Sequence, residues 1–144
     1  MAARTRRRWT VLEAPGPRDR GSAVAEFVMV SALLLLVAVG VFQLGLTLHV
    51  RNTLIACAAE GARAGARADA TEGEAAARTT ALITDGISPA YAVQVTARRV
   101  TADLGVRVVE VTVTAPTPII GLLGPSGTMT VTGRAFDERQ VAAP

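Results

Sequence analysis

The sequence predicts an α+β protein with a long transmembrane helix, a short second helix and a small antiparallel sheet of about three strands. Three observations lead to this prediction: an uncharged apolar run over 27–48, helical periodicity that continues beyond it, and alternating Val and Thr residues in the C-terminal half. The expected organisation is a basic leader (1–21), a transmembrane helix with its extension (22–68) and an extracytoplasmic α+β domain (69–144).

Composition excludes several functional classes. The 144 residues are 50% apolar but only 3% aromatic, and they include one cysteine, Cys57, and one histidine, His49. Internal disulfides and cysteine-based metal clusters are therefore excluded, as are most zinc sites and His-dependent catalytic sites. Since no nucleophile stands beside a plausible base, we expect no enzyme activity, cofactor, metal or small-molecule substrate.

The positive charge belongs to the N-terminal arm. Residues 1–21 contain six Arg against Glu13 and Asp19, a net charge of +4, whereas residues 22–144 contain nine Arg against ten acids, a net charge of −1. A pI of about 10.4 is typical of nucleic-acid-binding proteins. Without a basic stripe or stacking aromatics outside the arm, we expect no nucleic-acid partner.

The uncharged run from Phe27 to Leu48 predicts a membrane span. Its twenty-two residues would extend roughly 33 Å as a helix, enough to cross the hydrocarbon core. Five Arg lie within about twenty residues before the run, and Arg51, Arg63 and Arg67 follow it. This balance predicts a cytoplasmic N-terminus and places residues 49–144 outside the cytoplasmic membrane.

Two export signals fit the N-terminal half incompletely. Thr5 to Trp9 is similar to a twin-arginine signal, but Pro15, Gly16 and Pro17 separate it from the apolar run. Leu54 to Cys57 fits a lipoprotein box in which Cys57 would be acylated, although His49, Arg51 and Asn52 separate the box from the apolar run. A small buried side chain on a helix is the plainer interpretation of Cys57.

A third pattern joins the arm to the apolar run. Gly21 is followed by Ser22, small residues, Glu26 and Phe27. This segment resembles the processing site of class III prepilins, and the chain resembles TadE-like pseudopilins of the tight-adherence (Tad, type IVc) pilus system. The resemblance implies that a membrane prepilin peptidase cuts between Gly21 and Ser22, so that Glu26 becomes the fifth residue of the mature chain.

The residue types suit that processing. Glycine lets the backbone lie extended and close to a protease, and a cut ahead of the apolar run leaves the anchor attached. By resemblance, Glu26 with the adjacent Phe27 serves recognition and assembly, its carboxylate meeting the N-terminal amine of a neighbouring subunit. Taken singly, Gly21 could be a loop glycine and Glu26 a residue that favours a helix N-terminus.

The helical pattern continues past residue 48 with one narrow face of small residues. The face consists of Val50, Leu54, Cys57, Ala58, Gly61 and Gly65. Gly61 and Gly65 have the spacing that lets another backbone approach closely, and we expect them to serve helix packing; a weak helix that ends early is the alternative. The segment from Arg51 to Arg63 extends the resemblance to TadE-like proteins.

The C-terminal domain contains one helix and three strand candidates. The long helix is expected to end at Asp69 to Gly73. Thr71 and Glu74 then have capping-box spacing for a second helix over Glu74–Thr84. The inward residues of the strands are expected to be Tyr91, Val93, Val95 and Ala97; Val109, Val111 and Val113; and Met129 and Val131. The short helix should cover one face of the sheet.

A Pro- and Gly-rich loop over 116–127 separates the last two strands. Its apolar centre is Ile119, Ile120, Leu122 and Leu123. We expect this centre to tuck under the sheet, with a contact surface as the alternative.

Three functions follow from these patterns. The first is a minor pilin or pseudopilin that assembles with other Tad pilins and the pilus machinery, with a role in adhesion and, as an alternative, in secretion. The second is a lipid-anchored or secreted binding protein processed at Cys57, and the third is an unprocessed single-pass membrane protein. The mature N-terminus distinguishes them.

Overall fold

The computed structural model describes residues 17–102, 105–119 and 127–140, with the backbone alone for 17–20. Its elements are helix α1 (Pro17–Ala66), helix α2 (Glu72–Gly86) and strands β1 (Gln94–Thr101), β2 (Arg107–Pro116) and β3 (Thr128–Phe136), with 3-10 turns at Pro89–Tyr91 and Glu138–Gln140. The predicted α+β fold is confirmed. The chain divides into two compact units, Met1–Val39 and Gly40–Pro144.

The capping box at the start of α2 forms as predicted. The Thr71 hydroxyl accepts from the Glu74 backbone N–H at 3.2 Å, and the Glu74 carboxylate accepts from the Thr71 backbone N–H at 2.7 Å. The expected helix start at Glu74 and the expected break through Gly73 are nevertheless wrong, because α2 begins at Glu72. With Thr71 as N-cap, Glu72 and Gly73 must occupy the first helical positions.

The three strands form an antiparallel sheet in the order β1-β2-β3. Val113 of β2 is paired with Val95 on one side and Val131 on the other. The first strand was expected to include Tyr91 and Val93, which is wrong. Tyr91 belongs to the turn opened by Pro89 and capped by the Ser88 hydroxyl, so β1 begins only at Gln94 and Val93 is 72% exposed.

The core lies on one face of this sheet. The expected inward valines of β2, Val109, Val111 and Val113, are fully buried. They pack in one cluster with Leu54 of α1 and Ile83 of α2. The short helix covers this face as expected, and the second half of α1 covers it as well, which was not expected.

The loop after β2 closes at its base. The Thr117 backbone N–H donates to the Gly127 carbonyl at 2.9 Å, and the Thr117 hydroxyl donates to the same oxygen at 2.7 Å. Pro118 is buried, but Ile119 is 43% exposed and so is not tucked under the sheet. Ile120, Leu122 and Leu123 lie outside the described residues.

Candidate functional site

The N-terminal turns of α1 carry the predicted processing residues. Gly21, Ser22, Glu26 and Phe27 are all helical and exposed. A Cβ added at Gly21 would meet nothing within 4 Å. The backbone around Gly21 is thus helical rather than extended, and a cut at this place would require these first turns to unwind.

The apolar run follows without interruption. Phe27, Leu35 and Phe42 are 73%, 67% and 66% exposed, and the most hydrophobic window of α1 has a mean hydropathy of 2.6 with none of it buried. Full burial of each large apolar side chain is worth roughly 2 kcal/mol. The run is long and apolar enough to cross a bilayer, which would remove these side chains from water.

Two polar side chains near the end of the run have partners within the protein. The Gln43 side-chain amide donates to the Pro118 carbonyl, and the Thr47 hydroxyl donates to the Gln43 carbonyl at 2.9 Å. Both donors are therefore satisfied in a stretch where an unpaired polar group would be costly in hydrocarbon.

The small-residue face of α1 lies inside the folded domain. A Cβ at Gly61 would overlap the Thr79 hydroxyl and lie 2.9 Å from the Ala75 carbonyl, and one at Gly65 would lie 2.5 Å from the Ala75 Cβ. Gly61 and Gly65 thus let α2 pack directly against α1 within one chain. Side chains at these positions would force the two helices apart.

Sequence reasoning missed the close approach of α1 to β3. A Cβ at Gly133 would overlap the Ala59 backbone nitrogen and lie 2.7 Å from the Ala58 carbonyl oxygen. The obstacles are main-chain atoms of a buried helix, so no side-chain rotation can relieve them. A glycine inside a strand is the signal that could have indicated such an approach.

A second missed feature ties the end of α1 to the sheet. The Arg99 guanidinium donates to the Gly65 and Ala70 carbonyls at 3.0 and 2.8 Å and lies 3.5 Å from the carboxylate of Asp137, which is 1% exposed. Arg139 donates to Ala68 and Ala70 at 2.9 and 2.8 Å. A cation at the Gly65 carbonyl is favoured because the C-terminus of α1 carries unsatisfied acceptors and partial negative charge, while Ala68 and Ala70 belong to the connection between α1 and α2.

The outer face of the sheet carries a row of three charges. Arg98, Glu110 and Arg134 are aligned across the three strands. Arg98 donates to one Glu110 oxygen at 2.9 and 2.6 Å, and Arg134 donates to the other at 2.7 Å. Glu110 lies between Val109 and Val111, which were expected to face inward, and so it lies on the outer face; its side chain is only 4% exposed because the two guanidiniums cover it.

This row predicts a pH dependence of stability. Hydrogen bonds from Arg98, then Arg134, hold the pKa of Glu110 below its usual range. A lowered folded-state pKa gives stability that is fully present above the unfolded pKa of about 4.3 and is lost as the pH falls through the folded pKa. Glu110→Gln should therefore lower the free energy of unfolding by about 1–2 kcal/mol at pH 7, and the deficit should shrink in acid.

Thermal unfolding of the detergent-solubilised protein, followed by circular dichroism at pH 7 and at acidic pH, measures this effect. Glu60→Gln is the matched control, since Glu60 forms an exposed pair with Arg63 at 2.9 Å and such pairs contribute little. An equal loss for both variants at every pH would contradict the assignment.

Cys57 lies in the core cluster and is 9% exposed. Burial raises the pKa of its thiol, although a backbone hydrogen bond opposes the shift. Thiolate is the reactive form of cysteine. Cys57 is accordingly a small packing residue in the C-terminal part of α1.

Comparison with known proteins bears on the N-terminal half of the chain. The family model described as TadE-like protein matches residues 21–63. No curated protein and no solved structure matches the chain. The resemblance to the TadE-like family is confirmed over the matched residues, which include the apolar run and most of the small-residue face of α1.

Proposed function

We propose that the protein is a minor pilin or pseudopilin of a tight-adherence pilus, cleaved by a prepilin peptidase between Gly21 and Ser22. The main support for the proposal is the position of the match to the TadE-like family model in the chain. The match begins at Gly21, passes through the exposed apolar run and ends at Arg63, inside the part of α1 that packs on the sheet. The matched segment thus joins the proposed cut, the anchor and the base of the folded domain.

A cut at this place keeps the protein in the membrane. The bond between Gly21 and Ser22 precedes the apolar run, so residues 27–48 stay attached to the domain. Cleavage needs the first turns of α1 to unwind. Glycine lowers that cost by about 1 kcal/mol relative to alanine, which gives Gly21 a physical role besides its small size.

The cut also creates an amine near a carboxylate. Ser22 and Glu26 are four residues apart on α1 and so lie on one helical face. Glu26 is exposed there, directly before the run. In an assembly of parallel helices, this carboxylate would neutralise the new amine of a neighbouring subunit, because an unpaired charge at the bilayer is costly.

The proposed orientation in the membrane is based on the excess of arginines before the apolar run. The leader (1–21) is cytoplasmic, the helix crosses the cytoplasmic membrane once, and the folded domain is outside. The function in this placement is structural: the protein packs laterally with other pilins through α1 and helps to initiate or stabilise the fibre.

The position of Cys57 supports this proposal over lipid anchoring. Processing as a lipoprotein would sever α1 between Ala56 and Cys57 and detach Val50 and Leu54, which are 3% and 0% exposed in the core. An acyl chain on Cys57 would also have to leave a packed interior. A cut at Gly21 leaves the whole core intact.

The assembly role is tested by Glu26→Gln, which keeps the shape of the side chain and removes its charge. We expect this variant to be cleaved normally but to be recovered with sheared pili several-fold less than the wild type. Glu60→Gln is the control, since Glu60 is an exposed acid on the same helix. Recovery of the Glu26 variant at the wild-type level would contradict the role.

A further inference from the structure

The loop that follows β2 begins beside the apolar run of α1. The Gln43 side chain donates to the carbonyl of Pro118, which is buried, and Leu46 packs against the core cluster. Gln43 and Leu46 both belong to the uncharged run over 27–48. One end of the folded domain therefore contacts α1 at residues of the apolar run, rather than only beyond its end.

A comparison of lengths agrees with the Gln43–Pro118 contact. Gly133 lies against Ala58 and pairs with Val111. From Val111 to Pro118, two residues past the end of β2, the chain takes seven steps, about 23 Å if extended, and from Ala58 back to Gln43 helix α1 takes fifteen steps, about 23 Å. The two lengths are equal, which is consistent with both contacts if β2 runs back along α1 from the level of Ala58 to that of Gln43.

The part of the apolar run that precedes Gln43 is too short to span a bilayer by itself. Residues 27–42 extend about 24 Å as a helix, whereas the hydrocarbon core is about 30 Å thick. Residues from Gln43 onward must then supply the remaining length. The part of the domain that touches Gln43 cannot stay clear of the bilayer.

The chemistry of this end of the domain suits lipid. From Val111 to Gly133 the sequence has no ionisable side chain. Ile119 is 43% exposed beside the buried Pro118, and Leu44 on the helix is 61% exposed. At the opposite end of β2, the paired strands carry Arg98, Glu110 and Arg134 instead.

We propose that Ile119, which follows the buried Pro118, and Leu44 form a lipid-contacting surface that enters the bilayer interface and fixes the height of the domain above the membrane. The inference rests on the proposed membrane placement of α1. Its ligand is the glycerol and upper acyl region of a phospholipid leaflet. The Gln43–Pro118 hydrogen bond holds Pro118 against the helix, so that the adjacent Ile119 enters the bilayer together with the helix.

Depth-dependent fluorescence quenching tests this surface in the full-length protein. In a Cys57→Ala background, single cysteines are introduced as Ile119→Cys, Phe136→Cys and Leu35→Cys, and each is labelled with an environment-sensitive fluorophore. The proteins are placed in phosphatidylcholine–phosphatidylglycerol nanodiscs with a quencher at a shallow or a deep acyl position. Phe136 is the matched control, since it is an exposed apolar residue, 74% accessible, at the far end of the sheet.

The expected result is that the label at 119 is quenched by the shallow quencher several-fold more than the label at 136, while the label at 35 is quenched by the deep one. Quenching at 35 with equal, weak quenching at 119 and 136 would overturn the inference and leave the membrane placement standing. Equal, strong quenching at 119 and 136 would also overturn it, as general adsorption of the domain. A label at 35 that is not quenched would refute the membrane placement itself, and the lipid surface with it.

Discussion

Gly21→Leu is expected to abolish processing, leaving the protein in the membrane at its full length and absent from pili. The branched side chain would stand beside the bond to be cut. Leucine also favours the helix by about 1 kcal/mol relative to glycine, which opposes the unwinding that cleavage requires. The measurement is the intact mass of the membrane-extracted protein.

Gly40→Leu is the matched control for this variant. Gly40 is another glycine of α1 whose added Cβ would meet nothing within 4 Å, but it lies inside the apolar run. Normal cleavage of the Gly40 variant and none of the Gly21 variant would attribute the effect to the processing site. Normal cleavage of both would remove Gly21 from it.

Gly133→Ala is expected to have the largest effect on folding. The new methyl group would overlap the Ala58–Ala59 main chain of α1, and neither α1 nor β3 can move without opening the core. Overpacking of this kind costs about 2–3 kcal/mol. The thermal unfolding midpoint of the detergent-solubilised protein, followed by circular dichroism, should fall accordingly.

Gly86→Ala serves as the control for Gly133→Ala. An added Cβ at Gly86 has open space around it, so that substitution should be neutral or slightly stabilising. An unfolding midpoint for Gly133→Ala equal to that of the wild type would show that α1 does not pack on β3 as described.

What the sequence predicted well was local. The apolar run, the Thr71–Glu74 capping box and the inward valines of β2 each follow from residues a few positions apart. Contacts set by the tertiary fold were missed. Gly133 meets α1 at Ala58 and Ala59, and Arg99 reaches back to Gly65, across separations that a single sequence does not encode.

The charged row illustrates the same limit. Arg98 and Glu110 are charges on predicted strands, whereas Arg134 lies just beyond the residues predicted for the third strand, and the alignment of the three depends on the register of three strands. A shift of one residue would have turned Glu110 to the core face. The start of β1 was misplaced for a related reason, because the turn at Pro89 removed Tyr91 from an otherwise regular alternation.

The N-terminal residue of the membrane-bound protein, mapped in cells with and without the prepilin peptidase, tests the central claim most directly. A chain that begins at Ser22 when the peptidase is present, and remains uncut when it is absent, is the predicted result. The same uncut start in both strains, or a chain that begins at an acylated Cys57, would contradict it.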